Sequence, residues 1–405
     1  MNEEKILLAA IKKSLFGISV KDDFVNDDID WNIIIKESVQ QTVSTIVFDG
    51  LAELKEYIPP DIYMNWLRLS MNKMRSNDYI NKHQNELIEL LTDNKISCTI
   101  IKGITAAYNY PKPEMRILGD IDFIIEPENI ETVRELLLSN GYEAHGTDTI
   151  CHATFVKNNV IVEMHNEING IPNGIPGEVI RNHLKDLISL SETVNLENER
   201  FSMAPVHIQG FIFILHMIHH LLESGFGLRH LCDWAMFVHN RLNEDIWINQ
   251  YVPTLKNSGI YDFTNAVIWT CVNYLGLPAV NWMVPVDDDI CDSIMNDILK
   301  SGNFGRKDPA RAKSGTMAFN SKEYNDNHTI VYKYHRVIKK LAYAHWSLIE
   351  KIPALIIFAY IYFPIWYILM MIRGKRPVMT PKQLINDVNE RNDIYKKLSI
   401  FKIDK

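Results

Sequence analysis

Cysteine is scarce in this chain of 405 residues, and its spacing gives no sign of a disulfide framework. The cysteines are Cys98, Cys151, Cys232, Cys271 and Cys291, and no two of them form a CxxC pair. An odd number of widely spaced cysteines predicts free thiols in a reducing compartment. The chain also begins without a basic segment, an apolar block and a cleavage site, so we expect no secretory signal and a cytoplasmic location.

A surplus of basic residues is missing as well. There are 42 basic residues against 50 acidic ones, which gives a net charge of −8. Proteins that coat nucleic acids gain affinity by neutralising phosphates, so we expect no general nucleic-acid binding, although a local basic patch is compatible with this balance. Neither a fixed-period repeat nor a low-complexity block is present. The 47% apolar and 23% charged fractions are typical of a folded globular protein, and the length of 405 residues predicts two or three domains.

Hydrophobic periodicity divides the chain into four regions. Residues 1–95 are predicted to be helical, 96–172 to form a compact α+β unit, 173–350 to be mainly helical again, and 351–405 to hold an apolar segment and a basic tail. In the α+β unit the pattern predicts the order β-α-β-α-β-β, with a final hairpin turn at residues 157–159. The predicted fold class is therefore α+β, a small mixed sheet flanked by N- and C-terminal helical regions.

Two aspartates open the second predicted strand of that unit. Asp120 and Asp122 are two positions apart, so their side chains share a face of the strand, while Ile121, Phe123 and Ile125 point to the other face. Neighbouring carboxylates repel each other unless a cation lies between them. Mg²⁺ prefers such hard oxygen ligands together with substrate phosphates, and two Mg²⁺ ions, or Mn²⁺ instead, could serve a phosphoryl transfer.

Glu163 could complete this site. It lies in the last predicted strand of the unit, on the same face as Ile161 and His165. A lone glutamate in an apolar strand is costly to bury unless it is paired or binds a metal. The alternative is that the three carboxylates are ordinary edge residues of a sheet, and an aspartate pair alone would favour that alternative. The later position of Glu163 and the preceding Lys102-Gly103 favour a metal site.

A series of short motifs runs through residues 102–165: Lys102-Gly103, Tyr110-Pro111, Arg116, Asp120-x-Asp122 and Glu163-x-His165. In this order the motifs resemble the nucleotidyltransferase superfamily of DNA polymerase β. More narrowly, the chain looks like the uncharacterised bacterial branch called nucleotidyltransferase family 5. The resemblance extends over about residues 5–370, and a looser stretch at 225–234 is similar to the same branch.

The resemblance implies a nucleotidyltransferase that takes an NTP. Asp120 and Asp122 would hold both metals, and Glu163 would hold the catalytic metal and help to deprotonate a hydroxyl of the acceptor. Gly103 would let backbone N–H groups approach the triphosphate. The branch commonly accompanies polysaccharide or peptide biosynthesis, which implies a saccharide or small-molecule acceptor of unknown identity.

The phosphate loop departs from the superfamily pattern. Gly103 is followed by Ile104, where superfamily members usually have a second glycine or a serine that contacts phosphate. Lys102 could supply the phosphate contact instead, as a point charge. The departure leaves two alternatives open: a non-catalytic accessory or binding protein that keeps the fold, and a toxin-like transferase that modifies a protein or tRNA.

Two arginines are candidates for nucleotide or substrate contacts. Arg116 could bind the nucleotide, or it could pair with Asp120 or Glu114 in its own loop. Arg229 could face the cleft and meet the acceptor or a phosphate, although an ion pair with Asp233 one helical turn later is the default expectation.

Several histidines are weaker candidates. His165 could contact the substrate or be an ordinary core histidine. His216, His219 and His220 share one helix, so a zinc cluster is conceivable, but the sequence offers no cysteine or carboxylate with clear spacing to complete it. Ordinary histidines are the favoured interpretation.

The segment Ile352–Ile372 contains no charged residue, and as a helix it would be long enough to cross a bilayer core. Pro353 and Pro364 interrupt it, which argues against a span. Basic residues flank it at Lys339, Lys340, Lys351, Arg373, Lys375 and Arg376. Two interpretations remain: peripheral contact of residues 352–376 with an anionic membrane surface at the inner face, or a buried helix pair.

Overall fold

The computed structural model describes residues 2–21, 29–145, 152–196, 199–308, 353–373 and 394–402, together with His335, Ile338, Lys339, Ala342, Trp346 and Ile349. Its architecture is α+β, a mixed sheet flanked by helices, as the sequence predicts. Cys151 and four of the basic residues that flank the apolar segment lie outside the described residues: Lys340, Lys351, Lys375 and Arg376.

Helices precede, interrupt and follow the sheet. Those before it are α1 (Asn2–Phe16), α2 (Trp31–Gln40), α3 (Ser44–Gly50) and α4 (Pro60–Asp93). Those between strands are α5 (Ile104–Ala107), α6 (Ile130–Ser139) and α7 (Ile175–Leu184). Those after it are α8 (Val206–Leu222), α9 (Leu228–Arg241), α10 (Glu244–Ile246), α11 (Val252–Asn257), α12 (Tyr261–Thr270), α13 (Asp288–Ser301) and α14 (Ile356–Ile372). Short 3₁₀ turns include Pro113–Met115 and Asn303–Gly305.

The sheet has the strand order β3-β4-β5-β2-β1-β7-β6. Its strands are β1 (Cys98–Ile100), β2 (Ile121–Ile125), β3 (Glu143–Ala144), β4 (His152–Lys157), β5 (Val160–His165), β6 (Glu192–Leu196) and β7 (Glu199–Met203). β2 pairs parallel with β5, and β1 pairs parallel with β7, whereas the other neighbours are antiparallel. The sheet is therefore mixed, and its centre is formed by the strands that carry the predicted site.

The hairpin β6–β7 is a difference from the sequence prediction, which expected mainly helices beyond residue 172. It adds to the β1 edge of the sheet through a parallel contact between Ile100 and Met203. Polar and charged residues dominate both strands and lower their β propensity. The period-2 alternation that marks a strand is nevertheless present in Val194 and Leu196, and again in Phe201 and Met203.

The hairpin β4–β5 forms as predicted. Asn158 and Asn159 occupy its two-residue turn with φ of 53° and 64°, the conformation that matches the right-handed twist of the flanking strands. This turn fixes the register in which Thr154 lies opposite Glu163. The alternation of β5 then buries Val162 and leaves Ile161 exposed.

Two hydrophobic cores position the sheet. The sheet's own core joins Phe123, Phe155 and Val162 to Leu87 of α4 and Val133 of α6. The larger core is shared by the helices before and after the sheet: it includes residues from α1, α3, α8, α9, α12 and α13, and also Tyr395, Leu398 and Ile400. The N-terminal and later helices therefore pack together beside the sheet.

Helix α14 has one packed face and one exposed face. Ala359 and Phe363 pack against Ile338, Ala342 and Ile349. The exposed apolar residues along the helix are Ile357, Phe358, Ile361, Ile365 and Leu369. Within the part of the chain that the structure describes, we find no helix whose length and apolar character would suffice to cross a membrane.

The close approach of α1 and α3 depends on a glycine. A Cβ atom at Gly50 would lie 1.9 Å from the carbonyl oxygen of Ala10, which is far inside van der Waals contact. We expect Gly50→Ala to lower the free energy of unfolding by about 1–3 kcal/mol, because the two helices must move apart. Urea unfolding measures this loss. Gly119→Ala is the matched control, since a Cβ there meets nothing within 4 Å, and an equal loss in both variants would contradict the packing argument.

Candidate functional site

The parallel pairing of β2 and β5 brings two predicted site residues together. Asp122 on β2 lies directly opposite Glu163 on β5, and both side chains point to the sheet face opposite Phe123 and Val162. Neighbouring parallel strands are about 4.8 Å apart, so the two carboxylates are held close by backbone pairing. Asp120 lies immediately before β2 and faces the same cavity as Asp122.

This cavity has a volume of about 210 Å³ and lies between the sheet and the helices α8 and α9. Of the residues singled out from the sequence, it is lined by Lys102, Gly103, Arg116, Asp120, Asp122, Glu163, His216, His219, His220 and Arg229. It is also lined by residues that the sequence did not single out for chemistry, among them Asn169, Phe213, Met217 and Phe304. His165 lies behind the cavity wall, where it contacts Asp122.

Asp122 is buried and is held between two cationic or potentially cationic groups. The Nζ atom of Lys102 is 2.6 Å from its Oδ1 atom, and Nε2 of His165 is 2.9 Å from the same oxygen. His165 also lies 3.5 Å from Oε2 of Glu163, so it bridges the two carboxylates. Burial alone would raise the pKa of Asp122, but Lys102 and His165 outweigh burial and hold that pKa below its ordinary value. Asp122 is therefore ionised at neutral pH.

Asp120 has the opposite electrostatic character. Repulsion from Asp122, followed by burial, raises the pKa of Asp120 to about 6, although Lys102 acts in the other direction. Two carboxylates that share one site cannot both ionise freely without additional positive charge. Lys102 and His165 therefore compensate the negative charge of the site only in part, and a bound cation would stabilise the remaining charge.

The chemistry of the donors fits a hard divalent cation. Asp122, Glu163 and His165 each offer a ligand atom within 4.8 Å of the others, and Asp120 supplies a further carboxylate to the same cavity. Carboxylate oxygens are the preferred ligands of Mg²⁺ and also suit Mn²⁺. His165 offers the nitrogen atom of the group, but it is buried behind the cavity wall, so the oxygen ligands that face the cavity are those of Asp120, Asp122 and Glu163.

The loop after β1 brings Lys102 and Gly103 to the cavity. Gly103 has φ of 65°, a left-handed conformation that side chains other than glycine rarely adopt. Gln209 of α8 fixes this loop by donating to the carbonyl oxygen of Ile101 and to the Thr105 hydroxyl. The side chain of Ile104 is buried in the sheet's core, so it takes no place in the cavity where a serine hydroxyl would be expected.

Arg116 is paired with a different carboxylate from those expected. Its Nε and Nη2 atoms donate to the two oxygens of Asp233, at 3.0 and 2.7 Å, and the Tyr110 hydroxyl donates to the same carboxylate. Neither of the alternatives considered from the sequence, Asp120 and Glu114, forms an ion pair with Arg116, whose ion-pair partner in the described chain is Asp233. Asn77 of α4 fixes the loop itself by bonding its backbone at three positions between residues 114 and 118.

Arg229 lies on the cavity wall, and the expected ion pair with Asp233 is not formed. The Asp233 carboxylate is taken by Arg116 and Tyr110. Arg229 instead donates to the carbonyl oxygen of Ile117 at 3.5 Å and has its guanidinium over the ring of Phe304, 5.4 Å from the centroid. Burial and nearby Arg116 lower the pKa of Arg229 to about 10, so it remains charged at neutral pH.

The helical wall also contains a cluster of three histidine rings. His216 and His220 are one turn apart on α8, and His230 of α9 completes the group, with ligand atoms within 4.8 Å of one another. Burial first, and neighbouring basic groups second, keep the pKa of each well below its ordinary value, so the rings are neutral. His230 accepts the N–H of Gly227 at Nδ1, which leaves its proton on Nε2 and makes that atom a donor rather than a metal ligand. His219 lines the cavity but does not belong to the cluster.

Some of these contacts had no signal in the sequence. The pairing of Arg116 with Asp233 joins residues far apart in the chain, and the arrival of Phe304 at the cavity depends on how α13 ends. Gly227 permits that arrival, since a Cβ atom there would lie 2.7 Å from the Asn303 Cα atom. The glycines at 225 and 227 were visible in the sequence, but the segment that packs on them was not.

Comparison with known proteins identifies one family. A protein-family model described as uncharacterised nucleotidyltransferase matches residues 27–276, which is more than half of the chain. The matched range includes the carboxylates, Lys102, Arg116, Arg229 and the histidine cluster, but not Phe304. Neither the curated proteins nor the solved structures gave a significant match.

The raised pKa of Asp120 generates a prediction about stability without metal. In the folded chain Asp120 keeps its proton up to about pH 6, whereas an unfolded aspartate loses it near pH 4. The folded state therefore loses stability relative to the unfolded state as the pH rises from about 4 to about 6, and the penalty stays constant above that. Asp120→Asn removes the penalty, so we expect this variant to be more stable than the wild type by about 1–2 kcal/mol at pH 8.

Urea unfolding in EDTA across pH 4–8 measures this difference, which should shrink toward zero at the acidic end. Glu131→Gln, which removes an exposed carboxylate on α6, is the control and should show no such pH-dependent gain. An Asp120→Asn variant that is no more stable than the wild type at pH 8 would contradict the assignment of repulsion at this site.

Proposed function

The chain belongs to the uncharacterised nucleotidyltransferase family, and from this premise we propose that its cavity transfers a nucleotidyl group from an NTP to a hydroxyl group of an acceptor. One observation carries the proposal: Asp122 and Glu163 occupy paired positions on two parallel strands, with Asp120 and Lys102 facing the same cavity. Structural ion pairs alone would not require three carboxylates at one cavity wall.

Asp120, Asp122 and Glu163 would hold Mg²⁺, as two ions, with Mn²⁺ as an alternative. When bound, the metal supplies positive charge that offsets the charge developing on the phosphoryl oxygens. The residues of the chain would position the metal and the substrate. The buried sheet fixes the carboxylates, and Lys102 is placed to exchange its contact with Asp122 for a substrate phosphate.

The proposed reaction is a displacement at the α-phosphorus. The acceptor oxygen forms a bond to that phosphorus, the bond to the bridging oxygen of the β-phosphate breaks, and pyrophosphate leaves. Glu163 is partly exposed to the cavity and would accept the proton of the acceptor hydroxyl. Gly103 would allow backbone N–H groups to approach the phosphates. Arg116 would contact the nucleotide and Arg229 the substrate, since both line the cavity, whereas His165 lies behind the wall and would act through its contact with Asp122.

We propose a saccharide or another small metabolite as the acceptor, in the cytoplasm. The net charge of −8 and the acidic sheet wall of the cavity support an acceptor other than nucleic acid in general. The buried side chain of Ile104 is the observation that favours the alternative of a binding protein without catalysis. A transferase that modifies a protein or tRNA differs from the proposed enzyme only in its acceptor.

The test of the proposed reaction is Mg²⁺-dependent turnover of labelled NTPs in the presence of cell extract. Asp122→Asn should reduce turnover by roughly three orders of magnitude, equivalent to about 4 kcal/mol of barrier, because it removes both a ligand charge and the partner of Lys102. Glu131→Gln should leave turnover unchanged. Mass spectrometry of the labelled product distinguishes a metabolite from a modified protein or tRNA. Absence of metal-dependent NTP binding at millimolar nucleotide would overturn the enzyme and support the binding protein.

Helix α14 supports a second proposal, peripheral contact with a membrane surface. Its exposed apolar residues recur every three or four positions at Phe358, Ile361, Ile365 and Leu369, and the exposed Arg373 follows them. An apolar helix face next to basic residues suits the headgroup region of an anionic bilayer. We propose that this surface is the inner face of the membrane.

Flotation with vesicles tests this contact. The wild type should float with vesicles that contain an anionic lipid and much less with neutral vesicles, and Ile361→Glu should lose flotation because it puts a charge on the inserted face. Leu138→Glu alters an equally apolar exposed residue on α6 and should still float. Point variants are preferable to deletion of residues 352–405, because Tyr395 and Ile400 belong to the main core. Equal flotation of all three proteins would contradict α14 as the contact.

A further inference from the structure

Two hydrogen-bond donors on the helical wall of the cavity have no acceptor. Among the described residues, no partner lies within hydrogen-bond distance of Nε2 of His230 or Nε of Arg229. His230 is 4% exposed, so water does not readily serve its Nε2 atom. A buried donor without a partner is costly, so a ligand that accepts a hydrogen bond from it would remove that cost.

The donor character of His230 is set by its own helix. Its Nδ1 atom accepts the N–H of Gly227 at 3.3 Å, in the cap that begins α9. The ring is neutral, so its single proton must be on Nε2. The Nε2 atom of His230, a residue that lines the cavity, is therefore a hydrogen-bond donor. A ligand that binds to this atom must present an acceptor.

Arg229 adds charge at the same place. Its guanidinium is oriented by the ring of Phe304 and by the carbonyl oxygen of Ile117. The nearest helix carboxylate, Asp233, is already bonded by Arg116 and Tyr110. Within the described chain, Arg229 has no carboxylate at ion-pair distance, so its charge is available to an anion.

The position of both residues strengthens the preference for an anion. Arg229 and His230 lie in the first turn of α9, a helix of 14 residues, whose N-terminus carries a partial positive charge. The neighbouring rings of His216 and His220 are neutral and add no negative charge. The helical wall thus differs in sign from the sheet wall with its carboxylates.

We propose that Arg229 and His230 form a binding subsite for a phosphate group of the substrate. The subsite rests on the proposed function, since it deepens the substrate assignment of the same cavity. It supplies an anion contact on the helical wall of the cavity. In the phosphate loop, by contrast, the buried Ile104 offers no hydroxyl to a phosphate. The phosphate could belong to the polyphosphate tail of the nucleotide or to a phosphorylated acceptor, and the two sources share this chemistry.

Binding of simple phosphates to the purified full-length protein tests the subsite without requiring turnover. Calorimetry in EDTA, repeated in Mg²⁺, measures the Kd of tripolyphosphate and of glycerol phosphate. Arg229→Gln should raise the Kd of the anion that binds there about tenfold, because it removes the charge of a charge-assisted hydrogen bond. His230→Phe should raise it several-fold, and His230→Gln should recover part of the affinity by restoring an N–H donor.

Arg241→Gln is the matched control, because it makes the same charge change at the other end of α9, where Arg241 lies over the ring of Tyr108. It should leave both Kd values unchanged. Circular dichroism establishes that each variant is folded. Asp122→Asn should keep its affinity for the anion in EDTA, so loss of nucleotidyl transfer and loss of the subsite are separate outcomes.

The two sources give different patterns. If the subsite holds the nucleotide tail, Arg229→Gln weakens tripolyphosphate, ATP and GTP together. If it holds an acceptor phosphate, the variant weakens glycerol phosphate and leaves ATP and GTP unaffected. Equal affinities in wild type, Arg229→Gln and His230→Phe would overturn the proposal. A Co²⁺ complex with a tetrahedral visible spectrum that disappears in His216→Ala would also overturn it, because the histidines would then hold a metal.

Discussion

The parallel pairing of β2 with β5 is the constraint on which the site depends. It places Asp122 opposite Glu163 in a part of the protein from which water is largely excluded, and this arrangement is unfavourable by itself. Two effects reduce the repulsion between the carboxylates. Lys102 and His165 contact Asp122 directly, and Asp120 keeps its proton to a higher pH because its pKa is raised. The loop of Lys102 and the strand of His165 are in turn fixed by Gln209 and by the β4–β5 hairpin. The geometry of the polar site is thus determined by the strand pairing of the sheet.

The two walls of the cavity carry charges of opposite sign. The sheet contributes carboxylates, whereas the first turn of α9 contributes Arg229 and a histidine donor. Arg116 and Asp233 also line the cavity and neutralise each other through a two-point contact. A substrate with both a metal-binding phosphate and further anionic oxygens matches this distribution better than a neutral metabolite does.

The sequence predicted those parts of the fold and site that depend on local pattern. Alternation in β2 and β5 identified the faces of Asp122 and Glu163, and the paired asparagines identified the hairpin turn, because strand period and turn conformation are encoded by neighbouring residues. The hairpin β6–β7 was missed because its charged residues obscured a genuine alternation. The sequence did not indicate the ion-pair partner of Arg116. Asp233 is more than a hundred residues away along the chain, and only tertiary packing brings it close. The same holds for Phe304, whose approach depends on the small size of Gly227.

The residues near position 400 are not a peripheral tail. Tyr395 donates to the carbonyl oxygen of Leu221 at the end of α8, and Leu398 and Ile400 are buried in the core that α1 and α3 also build. The first and last described segments therefore share one hydrophobic core. Cleavage of the chain before Tyr395 would therefore remove buried side chains from the main core and leave a gap in it, which costs stability as a large-to-small core substitution does.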